Sequence, residues 1–251
     1  MLKLEIEQIL ANAGIENSRF EAKELYNAFS GDELKKAVER RISGEPLQYI
    51  LGEWEFYSLP FIVGKGVLIP RPETELLVDL ALKYIKENSR VIDLCSGSGA
   101  IAVAVAKNSN AKVYALEKYS QAVEYLQKNI ALNKANVMVI QQDLFEFTSQ
   151  EKFDIIISNP PYIKSEVLPL LQKEVQHEPM SALDGGKDGL IFYRHIASMK
   201  SLLNRGGTIM VEIGYDQADD VTEIFKQNGL ITETVIDLSG VQRVIIGTLT
   251  S

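Results

Sequence analysis

From residue 90 onward the chain alternates short apolar runs with helical patterns, and no other feature restricts its fold as much. RVIDLC, KVYALE, NVMVIQQ, DIIISN and TIMVEI are the runs, and helix-period patterns occupy four of the gaps between and after them. Strands that are apolar on both faces, joined through helices, predict a parallel sheet covered on both sides, an α/β architecture. Two further runs, ITETVIDL and RVIIGTL, are separated only by a Ser-Gly-Val-Gln turn. So short a link predicts an antiparallel pair.

The preceding residues have a different texture. Residues 1–43 read as amphipathic helices, with Leu4, Ile6, Ile9, Leu10 and Ala13 roughly on one face. Ser18 with Glu21, and Ser30 with Glu33, have the spacing of capping boxes, and Gly44 and Pro46 stop the last helix. At residue 49 the chain turns aromatic and β-branched, and YILGEWEFYSLPFIVGKGVLIP predicts a β-hairpin. A helix is expected to open near Pro72–Thr74. The expected division is an N-terminal helical domain for substrate recognition over 1–48, a hairpin linker over 49–72 and a catalytic domain over 73–251.

Composition narrows the class of function. No window approaches the ~18 apolar residues of a membrane span. Acids interrupt the apolar pattern of MLKLEIEQILANAG, so no signal peptide is expected there. The single cysteine excludes a disulfide framework and fits a cytoplasmic protein. The two histidines lie far from any cysteine or paired carboxylate, so no metal site is expected. The net charge is -8, with nine Lys/Arg against thirteen Asp/Glu in residues 1–75, so neither part is basic. That balance argues against a nucleic-acid substrate.

The motifs that carry chemistry follow the strands. DLCSGSGAIAVAVA closes the first, and Gly97 and Gly99 allow a tight turn and close approach of a ligand to the backbone. Gly97-x-Gly99-x-x-Ala102 with Glu117 at the end of the second strand fits a dinucleotide fingerprint. It indicates a nucleoside-bearing cofactor and does not choose between NAD and S-adenosylmethionine. Asp143, closing the third strand, suits an adenine amino group or a helix cap. Asn159-Pro160-Pro161-Tyr162 follows the fourth strand and decides the matter. An amide or nucleobase nitrogen is a poor nucleophile because its lone pair is delocalised. It can be held in line with a methyl donor by acceptors for its two N–H groups. The Asn159 side-chain oxygen and the Pro160 carbonyl are suitable acceptors, the prolines fix them in place, and the Tyr162 ring can pack on a planar target. The long connection from Ile163 to Lys187 reads as a substrate-facing lid.

Taken in order, RRISGEPLQYILGEWEF, VLIPRPETELLV, DLCSGSGAIA, DLF, SNPPYI, ALDGGKDGL, EIGYDQ and DLSGVQRVIIG resemble the release factor glutamine methyltransferase family across nearly the whole chain. The resemblance implies a seven-strand class I methyltransferase (Rossmann-like) sheet with a helical N-terminal domain and a hairpin linker. It implies S-adenosylmethionine as cofactor, held by Cys95, Ser96, Gly97, Ser98 and Gly99, with Glu117 on the ribose and Asp143 and Leu144 on the adenine. Asn159, Pro160, Pro161 and Tyr162 are implied to be catalytic, with Asn159 also bordering the cofactor. The implied substrate is the glutamine of a Gly-Gly-Gln motif in peptide chain release factors, met in the cytoplasm by a monomer with no nucleic-acid or membrane partner. The family's loop often begins with Gly where this chain has Cys95.

Three other functions are compatible with parts of the pattern. A nucleic-acid adenine or cytosine amino-methyltransferase would use the same NPPY logic but needs a basic face. An NAD-dependent oxidoreductase accounts for the glycine loop and leaves NPPY without a role. A binding module would hold cofactor without turnover.

Overall fold

The computed structural model describes residues 1–250. Three helices, α1 (Lys3–Asn12), α2 (Ser18–Ala28) and α3 (Gly31–Ile42), form an N-terminal bundle, closed by the short α4 (Leu47–Leu51). Ile6, Leu10, Ala22, Leu25, Leu34, Val38, Leu47 and Ile50 make its core. Pro46 opens α4 and Gly52, at φ +80°, ends it. The aromatic-rich stretch therefore begins as helix, because Leu47 and Ile50 sit three apart and complete the bundle core. The hairpin is confined to β1 (Glu53–Phe56) and β2 (Leu59–Ile62), with the turn at Tyr57 and Ser58.

Neither capping box forms. Ser18 is already the first residue of α2, and Ser30 flanks α3 without a side-chain bond to it. Glu21 turns inward instead, where Arg41 Nη2 donates to its Oε1 at 3.0 Å. A charged partner in a buried site outweighs a local backbone bond. The same Arg41 Nη2 donates at 2.6 Å to Glu174 Oε1, in the long connection between Ile163 and Lys187. Arg41→Met should cost about 3–5 kcal/mol, because Glu21 then stays buried without its cation. Arg41→Met with Glu21→Leu should recover most of that loss. Urea unfolding followed by Trp54, which packs on the bundle, measures both.

The C-terminal part begins with α5 (Glu75–Tyr84), entered through a 3₁₀ turn at Pro72–Thr74. Seven strands follow: β3 (Arg90–Leu94), β4 (Lys112–Glu117), β5 (Val137–Gln141), β6 (Phe153–Ser158), β7 (Leu203–Glu212), β8 (Leu230–Ile236) and β9 (Gln242–Leu249). Their order is β5-β4-β3-β6-β7-β9-β8. The five strands β3 to β7 pair in parallel with one another, while β9 pairs antiparallel with β7 on one side and with β8 on the other, the latter as the short turn predicts. The connecting helices are α6 (Ala100–Asn108), α7 (Ser120–Asn133), α8 (Ile191–Ser198) and α9 (Ala218–Gln227).

The period-2 alternation of each strand divides the core. Val91, Ile155 and Ile157 face a cluster with α5, α6 and the hairpin, while Ile92, Leu94 and Ile156 face one with α8 and α9. The hairpin is tied to the sheet by Asn129 of α7, which is fully buried. Its Oδ1 accepts from Ile62 N at 2.7 Å, and its Nδ2 donates to Ile62 O at 3.1 Å and to Ser98 O at 2.9 Å. One amide thus joins the linker to the glycine loop. Among the described residues no helix is long and apolar enough to cross a membrane.

Candidate functional site

The strand order reverses direction at β3, between β4 and β6, and the loops after β3, β4, β5 and β6 converge there on one cleft. This is where ligands bind in open α/β sheets. Cys95, Ser96, Gly97, Ser98, Glu117, Asp143, Leu144, Asn159 and Pro161 line a single cavity. Of the residues singled out in the sequence, Gly99, Pro160 and Tyr162 are not part of that lining.

The glycine loop is tight. Cys95 has φ +58°, a left-handed conformation that costs a side-chain-bearing residue roughly 1–2 kcal/mol. That cost explains why glycine suits the position. Burial, reinforced by Glu117 and Asp93, pushes the Cys95 thiol far above its usual range. A side chain at Gly97 (φ +54°) would project into open space, which is the cleft itself. Gly99 (φ +82°) is required twice over, since a Cβ there would stand 2.3 Å from Leu126 Cδ1. Behind the loop Asp93 is buried and is pushed up to about 8 by desolvation. Its Oδ2 accepts from Ala102 N at 3.2 Å, and its Oδ1 has no partner.

Glu117 is buried with both oxygens anchored. Gly97 N donates to Oε2 and Tyr119 N to Oε1, each at 2.9 Å. Each oxygen keeps a further lone pair, so the carboxylate is a fixed bidentate acceptor at the cleft wall. Asp143 fulfils its other reading, the cap: Phe145 N donates to Oδ1 at 3.0 Å. Lys118 Nζ sits 2.7 Å from Oδ2 and holds the carboxyl below its usual range. Leu144 is buried in the cavity wall, and Phe145 beside it packs against Phe192 and His195.

The NPPY segment is held from both sides. Asn159 Nδ2 donates to Thr74 Oγ1 at 3.1 Å. Gln217 Nε2 donates to Tyr162 O at 3.0 Å. The Tyr162 ring packs with the core cluster under β7 rather than in the cavity wall, and burial raises its hydroxyl to about 12. A Cβ on Gly185 would lie 2.7 Å from Tyr162 Cα, and one on Gly189 2.5 Å from Tyr162 O. The glycines of DGGKDGL therefore let this strand of chain press against the NPPY backbone.

The connection expected to be a lid is a tethered wall. Ile163 N donates to Leu183 O at 2.9 Å and Gly185 N to Ile163 O at 2.8 Å. Glu178 is buried, accepts from Ile69 N at 3.0 Å and pairs with Arg71. Pro179, Ser181 and Ala182, between these ties, line the cavity. The sequence reading missed Thr74, Arg71, Lys118, Phe145 and Phe192. Phe145 carried a signal, an aromatic directly after the Asp-Leu pair. Thr74 lies within the family-like stretch VLIPRPETELLV, but nothing local ties it to Asn159, 85 residues further on.

Comparison with known proteins agrees with this geometry. Residues 72–213 match a family model described as the methyltransferase small domain. The release factor glutamine methyltransferase of Thermodesulfovibrio yellowstonii is 44% identical over 223 residues, 85% of this chain and 80% of that one. The protein of the same name from Geobacter sulfurreducens is 41% identical over 261 residues, 95% and 92%. Among solved structures, a methyltransferase from Pyrococcus furiosus superposes with a TM-score of 0.61 at 17% identity, over 89% of this chain and 100% of that one, a likeness of fold.

Proposed function

The chain belongs to the release factor glutamine methyltransferase family, and we propose from that membership, together with its cleft, that it transfers a methyl group from S-adenosylmethionine to the side-chain amide nitrogen of the glutamine in a Gly-Gly-Gln motif of a peptide chain release factor. The observation that carries the reading is the convergence of Asn159 with Glu117 and the Cys95–Gly99 loop on one cavity. It puts an amide-orienting group beside a nucleoside-binding one. Relatives at 41–44% identity favour a protein amide over a nucleobase as the target. We take the enzyme to act in the cytoplasm, as a monomer, without a nucleic-acid partner.

The residues present fit S-adenosylmethionine. Glu117 offers two anchored oxygens to a ribose diol. Leu144 and Phe145 offer an apolar wall to the adenine, and the bare face of Gly97 leaves room beside the backbone. When bound, this cofactor supplies an electrophilic methyl on a sulfonium. The chain does the rest by orientation. Asn159 Oδ1 accepts one N–H of the substrate amide, and the Pro160 carbonyl accepts the other. Accepting from both N–H groups raises electron density on nitrogen and fixes its lone pair along the line of transfer. The proton would be lost from nitrogen after methylation, when the methylated nitrogen still carries both hydrogens and is a cation far more acidic than a neutral amide, so no side chain has to act as a strong base.

Glu117→Ala should weaken S-adenosylmethionine binding by about 10–100-fold, the equivalent of a charge-assisted hydrogen bond to the ribose. Titration calorimetry reads this directly, and unchanged affinity removes Glu117 from the ribose. The test of the function itself is mass spectrometry of a release factor incubated with the enzyme and labelled cofactor. A single methyl on the Gly-Gly-Gln peptide is expected; its appearance on another residue contradicts the proposal.

A further inference from the structure

We infer that His195 is a positioning residue for the base of the cofactor: it pins the peptide unit between Leu144 and Phe145, and so holds the Leu144 N–H in place as a donor to a ring nitrogen of the adenine. This role rests on the cleft being the S-adenosylmethionine site proposed above, and it names what steadies the turn that reads the base. Adenine is recognised along one edge, where the 6-amino group donates and the adjacent ring nitrogen accepts. The matching protein edge has an acceptor next to a donor. The Asp143 carboxylate and the Leu144 N–H supply that pair, provided the turn that carries them does not rotate.

The turn is short. Leu144–Glu146 is a single 3₁₀ turn, and the first N–H of such a turn has no partner within it. Among the described residues no hydrogen bond engages Leu144 N, and Leu144 borders the cavity. A three-residue turn has little stiffness of its own. Bonds to both ends of one peptide unit supply it. Phe145 N donates to Asp143 Oδ1 at 3.0 Å. On the opposite side of the same planar unit, Leu144 O lies 3.0 Å from His195 Nε2. A carbonyl has no hydrogen to give, so Nε2 is the donor. Leu144 O also accepts from Phe147 N at 3.2 Å, which occupies its second lone pair. The peptide bond is rigid, so holding its N–H and its C=O fixes the plane and with it the backbone of Leu144.

His195 reaches this carbonyl from α8 and is not itself part of the cavity lining, so it acts through Leu144. Its ring also packs on that of Phe145, with centroids 4.8 Å apart, and Phe145 in turn meets Phe192 at 5.3 Å. Phe192 lies one helical turn before His195, on the same face of α8, and borders the cavity with Phe145. One helix face thus gives an aromatic wall to the base and an N–H to the turn that reads it. The start of α8 is anchored elsewhere. Leu190 N donates to Asp188 Oδ1 at 3.1 Å, and Gln217 Nε2, which holds Tyr162 O, also donates to Gly189 O at 3.2 Å. That end of the helix rests on the NPPY backbone without help from His195, so the base end of the cleft is the one that depends on the imidazole.

The test is titration calorimetry of the wild type, His195→Leu and His195→Gln with two ligands: S-adenosylhomocysteine, the stable product, and its 1-deaza-adenine analogue. His195→Leu keeps an apolar group against Phe145 and removes the donor. It should weaken S-adenosylhomocysteine about tenfold, the worth of one hydrogen bond. His195→Gln, whose Nε2 can donate to the same carbonyl, should restore most of that affinity. The 1-deaza analogue offers no acceptor to Leu144 N, so the wild type should bind it weakly and His195→Leu no more weakly. Unchanged S-adenosylhomocysteine affinity in His195→Leu overturns the positioning role. An equal loss for both ligands overturns it too, because it marks a general loosening of the cleft. A wild-type protein that binds neither ligand overturns instead the cofactor reading beneath. Should His195→Leu fail to fold, His195→Gln against His195→Asn decides: the shorter amide carries the same groups but stops short of Leu144 O, and equal affinities in the two would contradict the role.

Discussion

Asn159→Ala should lower methyl transfer by about 10²–10³-fold, the usual cost of losing one preorganised polar group in a reaction site. S-adenosylmethionine affinity should stay close to wild type. The separation follows from where the groups sit. The proposed ribose acceptor, Glu117, is held by Gly97 N and Tyr119 N after β3 and β4, whereas Asn159 follows β6 and is held by Thr74. No hydrogen bond joins the two sets. Loss of Asn159 therefore removes orientation of the target nitrogen without loosening the cofactor wall. The loss should fall on kcat, since the contact tightens as the nitrogen begins to bond to carbon and its hydrogens become more acidic. Single-turnover rates with saturating cofactor isolate that step. A variant that turns over like wild type would mean that another residue positions the amide.

Much of this arrangement could be read from the sequence, for physical reasons that differ between its parts. The sheet was legible because its strands are buried on both faces: RVIDL and FDIIIS are nearly continuous apolar runs, which only a covered parallel sheet accommodates. The antiparallel pair β8–β9 was legible from a turn too short for a crossover. The cleft was legible because its residues follow strand ends, which a parallel sheet brings to one edge. The capping boxes failed because Glu21 found a buried cation 20 residues away, and local spacing carries no information about such a partner. The helix over Leu47–Leu51 was hidden inside an aromatic-rich stretch, where two apolar residues packing on the bundle outweighed strand propensity. The long connection after NPPY was read as a lid from its length. Its ties to Ile69, Arg71 and Arg41 come from the linker and the helical bundle, so they exist only once the parts are folded together. The sequence places the Tyr162 ring on the substrate, whereas in the structure it packs with the core cluster, next to Gly214.

The largest effect expected lies in the substrate. A site that accepts hydrogen bonds from both N–H groups of a glutamine amide should reject a release factor whose Gly-Gly-Gln is changed to Gly-Gly-Glu by about 10⁴–10⁵-fold. A carboxylate has no N–H to offer, and its charge would face the Asn159 and Pro160 oxygens across a repulsive gap. Gly-Gly-Asn keeps the amide but is one methylene short. Its nitrogen falls more than about 1 Å from the line of transfer, which should cost ~10²-fold. The measurement is methyl incorporation from labelled S-adenosylmethionine into the intact release factor and its Glu variant at matched concentrations. Labelling of the Gln form with none detectable in the Glu form is the predicted result. Comparable labelling of the two would place the methyl on another group and contradict the amide mechanism for this chain.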